Sequence, residues 1–537
     1  MRITYLKNSK KCSTRYSNED VLVSVRMINN HTTVTVTALT NITLLEASDT
    51  IPFHVNFHDV YFLNGYQSWT DTKEFKLAKK LRNVKNSPHI ITHQFALDKY
   101  GDSTFYNYSF KKSHGYDIFY SRGKNEIFAY SLNGKNAYLI FELIKDRRDI
   151  HLISDVKNWK LLAGESAVVF DYCLYYNYQE GLEAFRGDYP DRNIKKIFGY
   201  TSWYNYYQNI NEEIILRDLD ALDERFEVFQ IDDGYETFVG DWLDVDPKKF
   251  PNGLKPLVDK IHEKGYQAGL WLAPFVAESK SKTFKEHKDW FKKTKKGTFV
   301  KAGGNWSGFY SLDLSNPEAK EYVQKCLRHY MDLGFDFFKL DFLYAVGLDN
   351  YPGKTRCMIQ NEAYQLLRDT LNDKTILGCG ANIINSFENF DYLRIGPDVS
   401  LKFDDIPLMR LFHRERISTK VTLQNTISRS LFDNHLFGND PDVFLLRDEN
   451  IELSKKQRKA LTLINALFGS VLFTSDDIAT YDEEKKVILA EALELFRNAE
   501  NVSFETKGKK INVKYLLRDK EHAFTYNTEK GVLENER

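Results

Sequence analysis

Three consecutive stretches decide the fold: FEVFQIDDG (226–234), GLKPLVDKIHEKG (253–265) and YQAGLWLAP (266–274). The first and third are short apolar runs. The middle one carries Leu254, Leu257, Val258 and Ile261 at helical spacing, on one face. Gly265 follows it where a C-cap glycine belongs. The same unit recurs on both sides. KKIFGYTSW (195–203) precedes EEIILRDLDALDERF (212–226), and PEAKEYVQKCLRHYMDLG (317–334) precedes FDFFKLDFLY (335–344). Further apolar runs are KTILGCGANI (374–383), DYLRIGPDV (391–399) and SVLFTSDD (470–477). Strand–helix alternation over roughly 280 residues predicts a (β/α)₈ TIM barrel, whose usual size this matches.

The flanks read differently. Before Asp191-Arg192-Asn193 the chain alternates as strands do: TVTVTAL (33–39) is strictly periodic, while NAYLIFELI (136–144) and ESAVVFDYCLYYN (165–177) are rich in β-branched and aromatic residues. No long helical period shows there. After about residue 480 the pattern is again expected to be strands, as in KINVKYLLR (510–518) and HAFTYNT (522–528). The predicted organisation is an N-terminal β-sandwich domain (1–190), a barrel (191–480) and a small C-terminal antiparallel β domain (481–537). KKTKK (292–296) reads as a solvated loop.

Composition narrows the classes. Lys+Arg at 74 against Asp+Glu at 75 gives a net charge of −1, which argues against nucleic acid or an anionic membrane as the main partner. Hydrophobic residues at 42% supply a full core. No apolar run approaches the ~18 residues of a membrane helix, and the basic N-terminus lacks the apolar stretch of a secretory signal. Five cysteines, an odd number without CxxC spacing, fit a reduced cytoplasmic protein. No HxH or HExxH occurs, so no metal site is expected, and Gly303-Gly304 lacks the spacing and lysine of a phosphate loop. No cofactor is implied. Aromatic residues reach 14%, suited equally to β-rich cores and to sugar rings.

The carboxylates are placed tellingly. Asp232-Asp233 end FEVFQI, Asp341 follows FFKL, Asp398 follows LRIGP, and Asp476-Asp477 follow VLFTS. In a (β/α)₈ barrel these strand ends converge on one mouth; the alternative is that each merely caps the next helix. Lys339 and Asp341, two apart on a strand, share a face. An inward lysine needs a partner, and Asp341 is the expected one, held ionised by it. Asp398, beyond the Gly396-Pro397 break, would have its pKa raised by a charged Asp341 nearby. A nucleophile and a general acid with pKa values pushed apart are the pattern of glycoside hydrolysis, with about 5–5.5 Å between the two in retaining enzymes. Arg394 either binds substrate oxygens or orients Asp398; an ion pair at the strand edge is the plain alternative. Trp203 and Trp271 stand at strand ends, able to stack on a hexose or to fill the core, while Trp242 is undecided. Asp232-Asp233, costly as core, suit bidentate acceptance from sugar hydroxyls.

In order along the chain, LNGYQSWT (63–70), GYTSWYNYY (199–207), QIDDGYE (230–236), GDW (240–242), FPNGL (250–254), GLWLAPF (269–275), KLDFLY (339–344), LGCGANI (377–383), LRIGPDVS (393–400) and NDPDVFLLR (439–447) resemble glycoside hydrolase family 36, the melibiase-type α-galactosidases. The short length resembles its compact branch. The resemblance implies a β-supersandwich, a (β/α)₈ barrel and a C-terminal β domain, and a retaining double displacement without a cofactor. It assigns Asp341 as nucleophile and Asp398 as acid/base. Asp232 and Asp233 match the pair holding the sugar 4- and 6-hydroxyls. Lys339, Arg394, Trp203, Trp271 and Cys379 match the rest of the pocket, and Trp69 the aromatic that reaches over the mouth from the N-terminal domain. The implied substrates are small α-galactosyl oligosaccharides such as melibiose or raffinose. An α-N-acetylgalactosaminidase, a galactosyl transferase of the raffinose-synthase type and a non-catalytic sugar-binding protein are the alternatives. KLDF and GCGANI depart from the KWD and SCxGGG of the longer, oligomeric branch, and oligomeric state stays open.

Overall fold

The computed structural model describes residues 1–77, 92, 95–109, 111–144, 149–348, 353–404, 409–411 and 413–536. At its centre lie parallel strands Ile197–Thr201, Val228–Ile231, Gln267–Leu272, Phe337–Leu340, Thr375–Gly378, Tyr392–Arg394, Gly438–Asp440 and Val471–Thr474, each hydrogen-bonded to the next through the seventh. The eighth pairs with the first, Ile197 opposite Val471. Closure falls to the seventh strand, which is split. Its first half pairs with the sixth, and a continuation, Val443–Phe444, pairs with the eighth. Pro441 interrupts the ladder because it has no N–H to donate, and Asp442 takes φ +74. The strand therefore bends there and serves both neighbours. Almost every barrel-strand residue is buried, which is why these strands read as continuous apolar runs rather than alternating ones.

The intervening helices begin where side chains accept orphan N–H groups. Asn211 caps Glu212–Ala221, Asn316 caps Pro317–Asp332, Thr355 caps Arg356–Leu371, and Ser454 forms a capping box with Gln457 at Lys455–Phe468. The helix expected after Gly253 spans Lys255–Glu263, with Leu257, Val258 and Ile261 buried and Gly265 at φ +83 just beyond it.

The N-terminal region is two antiparallel seven-stranded sheets, face to face. Tyr5, Leu44, Phe141 and Leu152 of one meet Val36, Tyr61, Phe119 and Ala129 of the other. The outer face of the second sheet is buried too: Phe62, Tyr120, Phe128 and Tyr130 belong to the same continuous core as the barrel. A four-stranded antiparallel sheet, Glu500 to Glu534, closes the chain.

Three sequence expectations need correction. The first 190 residues contain a helix, Tyr178–Asp188, capped by Asn177 and burying Leu182 and Phe185. Strands do not resume at 481. Residues Glu483–Asn498 form a helix capped by Asp482, with Leu489, Ala492, Leu493 and Phe496 buried, so we place the start of the C-terminal β unit at Glu500. Finally, Lys292 of KKTKK is buried, its ammonium donating to the carbonyls of Val346 and Leu348. Among the described residues no helix is long and apolar enough to cross a membrane.

Candidate active site

The mouth is assembled from strand ends. Asp341 follows the fourth strand and is buried. Its Oδ2 accepts the Trp271 indole N–H at 3.1 Å, and its Oδ1 accepts the Phe342 N–H at 2.7 Å. Phe342 sits in the left-handed region, φ +53 and ψ +32, an uncommon conformation for a bulky residue that turns the chain directly after the aspartate.

Lys339 does not bind Asp341. Its ammonium lies 2.8 Å from Asp232 Oδ2, across the barrel floor. Burial alone would push its pKa down; the adjacent Asp232 holds it above the ordinary lysine value. The i, i+2 rule correctly put Lys339 and Asp341 on one face, but which anion a lysine reaches depends on strands 107 residues apart. Asp341 is still within its field. Replacing Lys339 by methionine leaves Asp232 buried and unpaired, and we expect a loss of about 3–5 kcal/mol of stability, measurable by urea unfolding; a variant as stable as the parent would refute the pairing.

The two neighbouring aspartates are nearly saturated. Asp232 Oδ2 accepts from Lys339, Gln230 and Thr201, and Oδ1 from the Asp233 N–H. Asp233 accepts from the Gln208 amide at 3.0 and 3.2 Å and from the Trp306 indole at 2.9 Å. Glu236 also hydrogen-bonds to Asp233. Counting lone pairs, Asp232 keeps room for about one more donor, at Oδ1. Burial raises the pKa of Asp233, and that of the adjoining Glu236 further, where the Asp233 charge adds to burial.

Asp398 lies just past the sixth strand, with 34% of its side chain exposed, the most open carboxylate of the set. Surrounding protein nevertheless desolvates it and raises its pKa; the charge on Asp341 adds to this, while Arg394 opposes it. Arg394 meets three carboxylates: Nη1 to Asp398 at 3.0 Å, Nε to Asp440 at 2.9 Å, Nη2 to Asp442 at 2.9 Å. It is placed to orient Asp398. The bend in the seventh strand supplies both of the other anions. Asp442, buried, is pushed up to about 7.

Trp69 arrives from the N-terminal region. Its indole donates to Cys379 Sγ at 3.3 Å, and its ring packs edge-on against Phe342 and Tyr344. Gly380, at φ +65, is required there: a Cβ would lie 3.0 Å from the Trp69 ring. Arg429, wholly buried, pins the same loop through Asn64, Gln67, Ser68 and Thr72. Burial keeps the Cys379 thiol pKa high. Trp271 is buried with its N–H on Asp341, whereas Trp203 is half-buried. Trp242 fills core, edge-on to Trp271. Asp476 is no part of the mouth: buried, it accepts from Arg447, Tyr481 and two backbone N–H groups. Sequence reading missed Gln208, Trp306, Asp440 and Asp442. NDPD (439–442) was visible as a motif without a role; Trp306 stood between glycines in GGNWSG (303–308). Among the described residues no group of three or more His, Cys, Asp or Glu could hold a metal.

A closed parallel barrel whose mouth gathers carboxyl groups at strand ends, with tryptophans beside them, is an arrangement of the kind glycosidases use. Residues 188–367 match the Melibiase family model, from before the first strand into the helix after the fourth, including Asp341. The chain is 26% identical to an α-galactosidase of Escherichia coli over 197 residues, 35% of this chain and 27% of that one. It is 30% identical over 206 residues to the A type blood α-D-galactosamine galactosaminidase of Flavonifractor plautii, 34% of this chain and 18% of that one. The matches thus span about a quarter of these relatives' length. TtGalA, an α-galactosidase from Thermus thermophilus solved in complex with p-nitrophenyl α-D-galactopyranoside, superposes with a TM-score of 0.72 at 24% identity, covering 97% of this chain and 98% of that one. A Melibiase-type segment thus lies within a chain whose fold is that of TtGalA.

Proposed function

We propose that the protein is a retaining exo-α-galactosidase acting on small oligosaccharides such as melibiose or raffinose. The observation that carries this is the contrast between two carboxyl groups at one mouth. Asp341 is a fixed acceptor, held by two N–H donors. Asp398 is open to the mouth, steered by Arg394, with a raised pKa that favours a proton in its resting form. Asp341 attacks the anomeric carbon as the bond to the leaving oxygen breaks, and Asp398 gives that oxygen its proton. The Asp398 carboxylate then takes a proton from water. The water oxygen forms its bond to the anomeric carbon while the Asp341 ester bond breaks. Asp232 and Asp233 accept sugar hydroxyls. Trp69, packed on Cys379, closes the pocket from the N-terminal side.

Two inversions amount to retention, so proton NMR of a digest should show α-galactose as the first-formed anomer, mutarotating afterwards. Initial release of the β anomer would end the double-displacement reading. Parallel assays on aryl α-galactoside and aryl α-N-acetylgalactosaminide, with and without a sugar acceptor, test the sugar and the hydrolytic outcome; we expect hydrolysis of the galactoside.

A further inference from the structure

The turn after the first barrel strand, Trp203 to Gln208, holds a strained residue at the rim. Tyr207 has φ +49 and ψ −134, a backbone conformation that glycine normally occupies. Its ring is not buried to compensate: 40% of the residue is exposed, and it stands edge-on to Trp203 at 5.1 Å between ring centres. The rest of the turn is tied down. The Tyr204 N–H donates to Ser475 Oγ at 3.2 Å, the Tyr204 carbonyl accepts from Arg447 at 2.8 Å, and the Tyr206 hydroxyl accepts from Arg217. The turn is also seated on the Asp398 loop, because Asp442 Oδ2 accepts both the Tyr204 hydroxyl and, at 2.7 Å, the Val399 N–H. Tyr207 lies within the electrostatic reach of Asp398 and Arg447.

Chemistry gives this side of the mouth a direction. A general acid protonates the leaving oxygen, so the departing alcohol must lie on the side of Asp398. We propose that Tyr207, backed by Trp203, is the wall of the leaving-group subsite, an exposed aromatic face on which the departing sugar ring or an aryl group stacks. This rests on the assignment of Asp398 as the proton donor. The strain has a second use, since the same turn delivers Gln208 to Asp233. The decisive variant must therefore keep the backbone and remove only the ring. Tyr207→Gly does so, because glycine tolerates these torsions without cost.

The test compares raffinose with α-galactosyl fluoride, whose leaving group is one atom and cannot stack. For Tyr207→Gly we expect KM on raffinose to rise about five- to twenty-fold, in line with the loss of one aromatic contact, while kcat/KM on the fluoride stays within about twofold of the parent. Tyr207→Phe, which keeps the ring, should retain the parent's KM on raffinose. Equal losses on both substrates, or no change on raffinose, would overturn the subsite. A parent enzyme that cleaves neither substrate would instead overturn the galactosidase reading, and the subsite with it.

Discussion

Asp341→Ala will lower turnover of an aryl α-galactoside by roughly 10⁴-fold or more, with the fold intact. The size follows from the nucleophile role proposed for Asp341. Without the carboxylate no covalent intermediate forms, and neighbouring groups that merely bind the sugar cannot replace a bond-making atom. An aryl leaving group offers no escape, since it relieves the need for a proton and not the need for a nucleophile. The fold should survive because Asp341 anchors little: losing it frees one indole N–H and one backbone N–H at the mouth. Residual activity above a few per cent of the parent, in a variant with an unchanged melting curve, would remove Asp341 from the mechanism.

The second large effect depends on the substrate. Asp398→Ala should cost raffinose hydrolysis about 10²–10⁴-fold, the usual worth of a positioned general acid, and cost the first step on an aryl substrate much less. A pH signature accompanies it. The raised pKa of Asp398 keeps its proton past the ordinary carboxylate range. Activity of the parent on raffinose should therefore hold through mildly acidic pH and fall as pH rises through that pKa, where the proton donor is lost. In Asp398→Ala this alkaline limb should vanish from the residual rate. Equal losses on raffinose and the aryl substrate, or an unchanged alkaline limb, would show that Asp398 is not the donor.

How far the sequence could be read varies with the distance over which each feature is decided. The alternation of TVTVTAL was legible because Val34 and Val36 face the sandwich core while the threonines between them stay partly exposed. The strands Ile118–Arg122 and Ile127–Ser131 do not alternate, since one face packs in the sandwich and the other on the barrel. The helix Glu483–Asn498 was passed over beside the strong strand patterns that follow it, although its buried positions keep helical spacing. The structure brings Asp232, Asp233, Asp341 and Asp398 to strand ends at the mouth and sets Asp476 on Arg447, because an aspartate at a strand end looks the same in sequence whether it faces the mouth or serves an arginine.

By itself the sequence determined a strand–helix barrel flanked by β structure, with its carboxylates at the strand ends. Those features follow from periodicity and chain breaks within a dozen residues. Only the tertiary structure decided that Lys339 belongs to Asp232, that Arg394 is shared by Asp398, Asp440 and Asp442, and that Trp69 closes on Cys379. Apart from Asp398, four residues on from Arg394, each of these partners comes from a different strand or a different layer. Which charge meets which is set by the register of parallel strands and by how the sandwich docks on the barrel, and neither leaves a local mark in the chain.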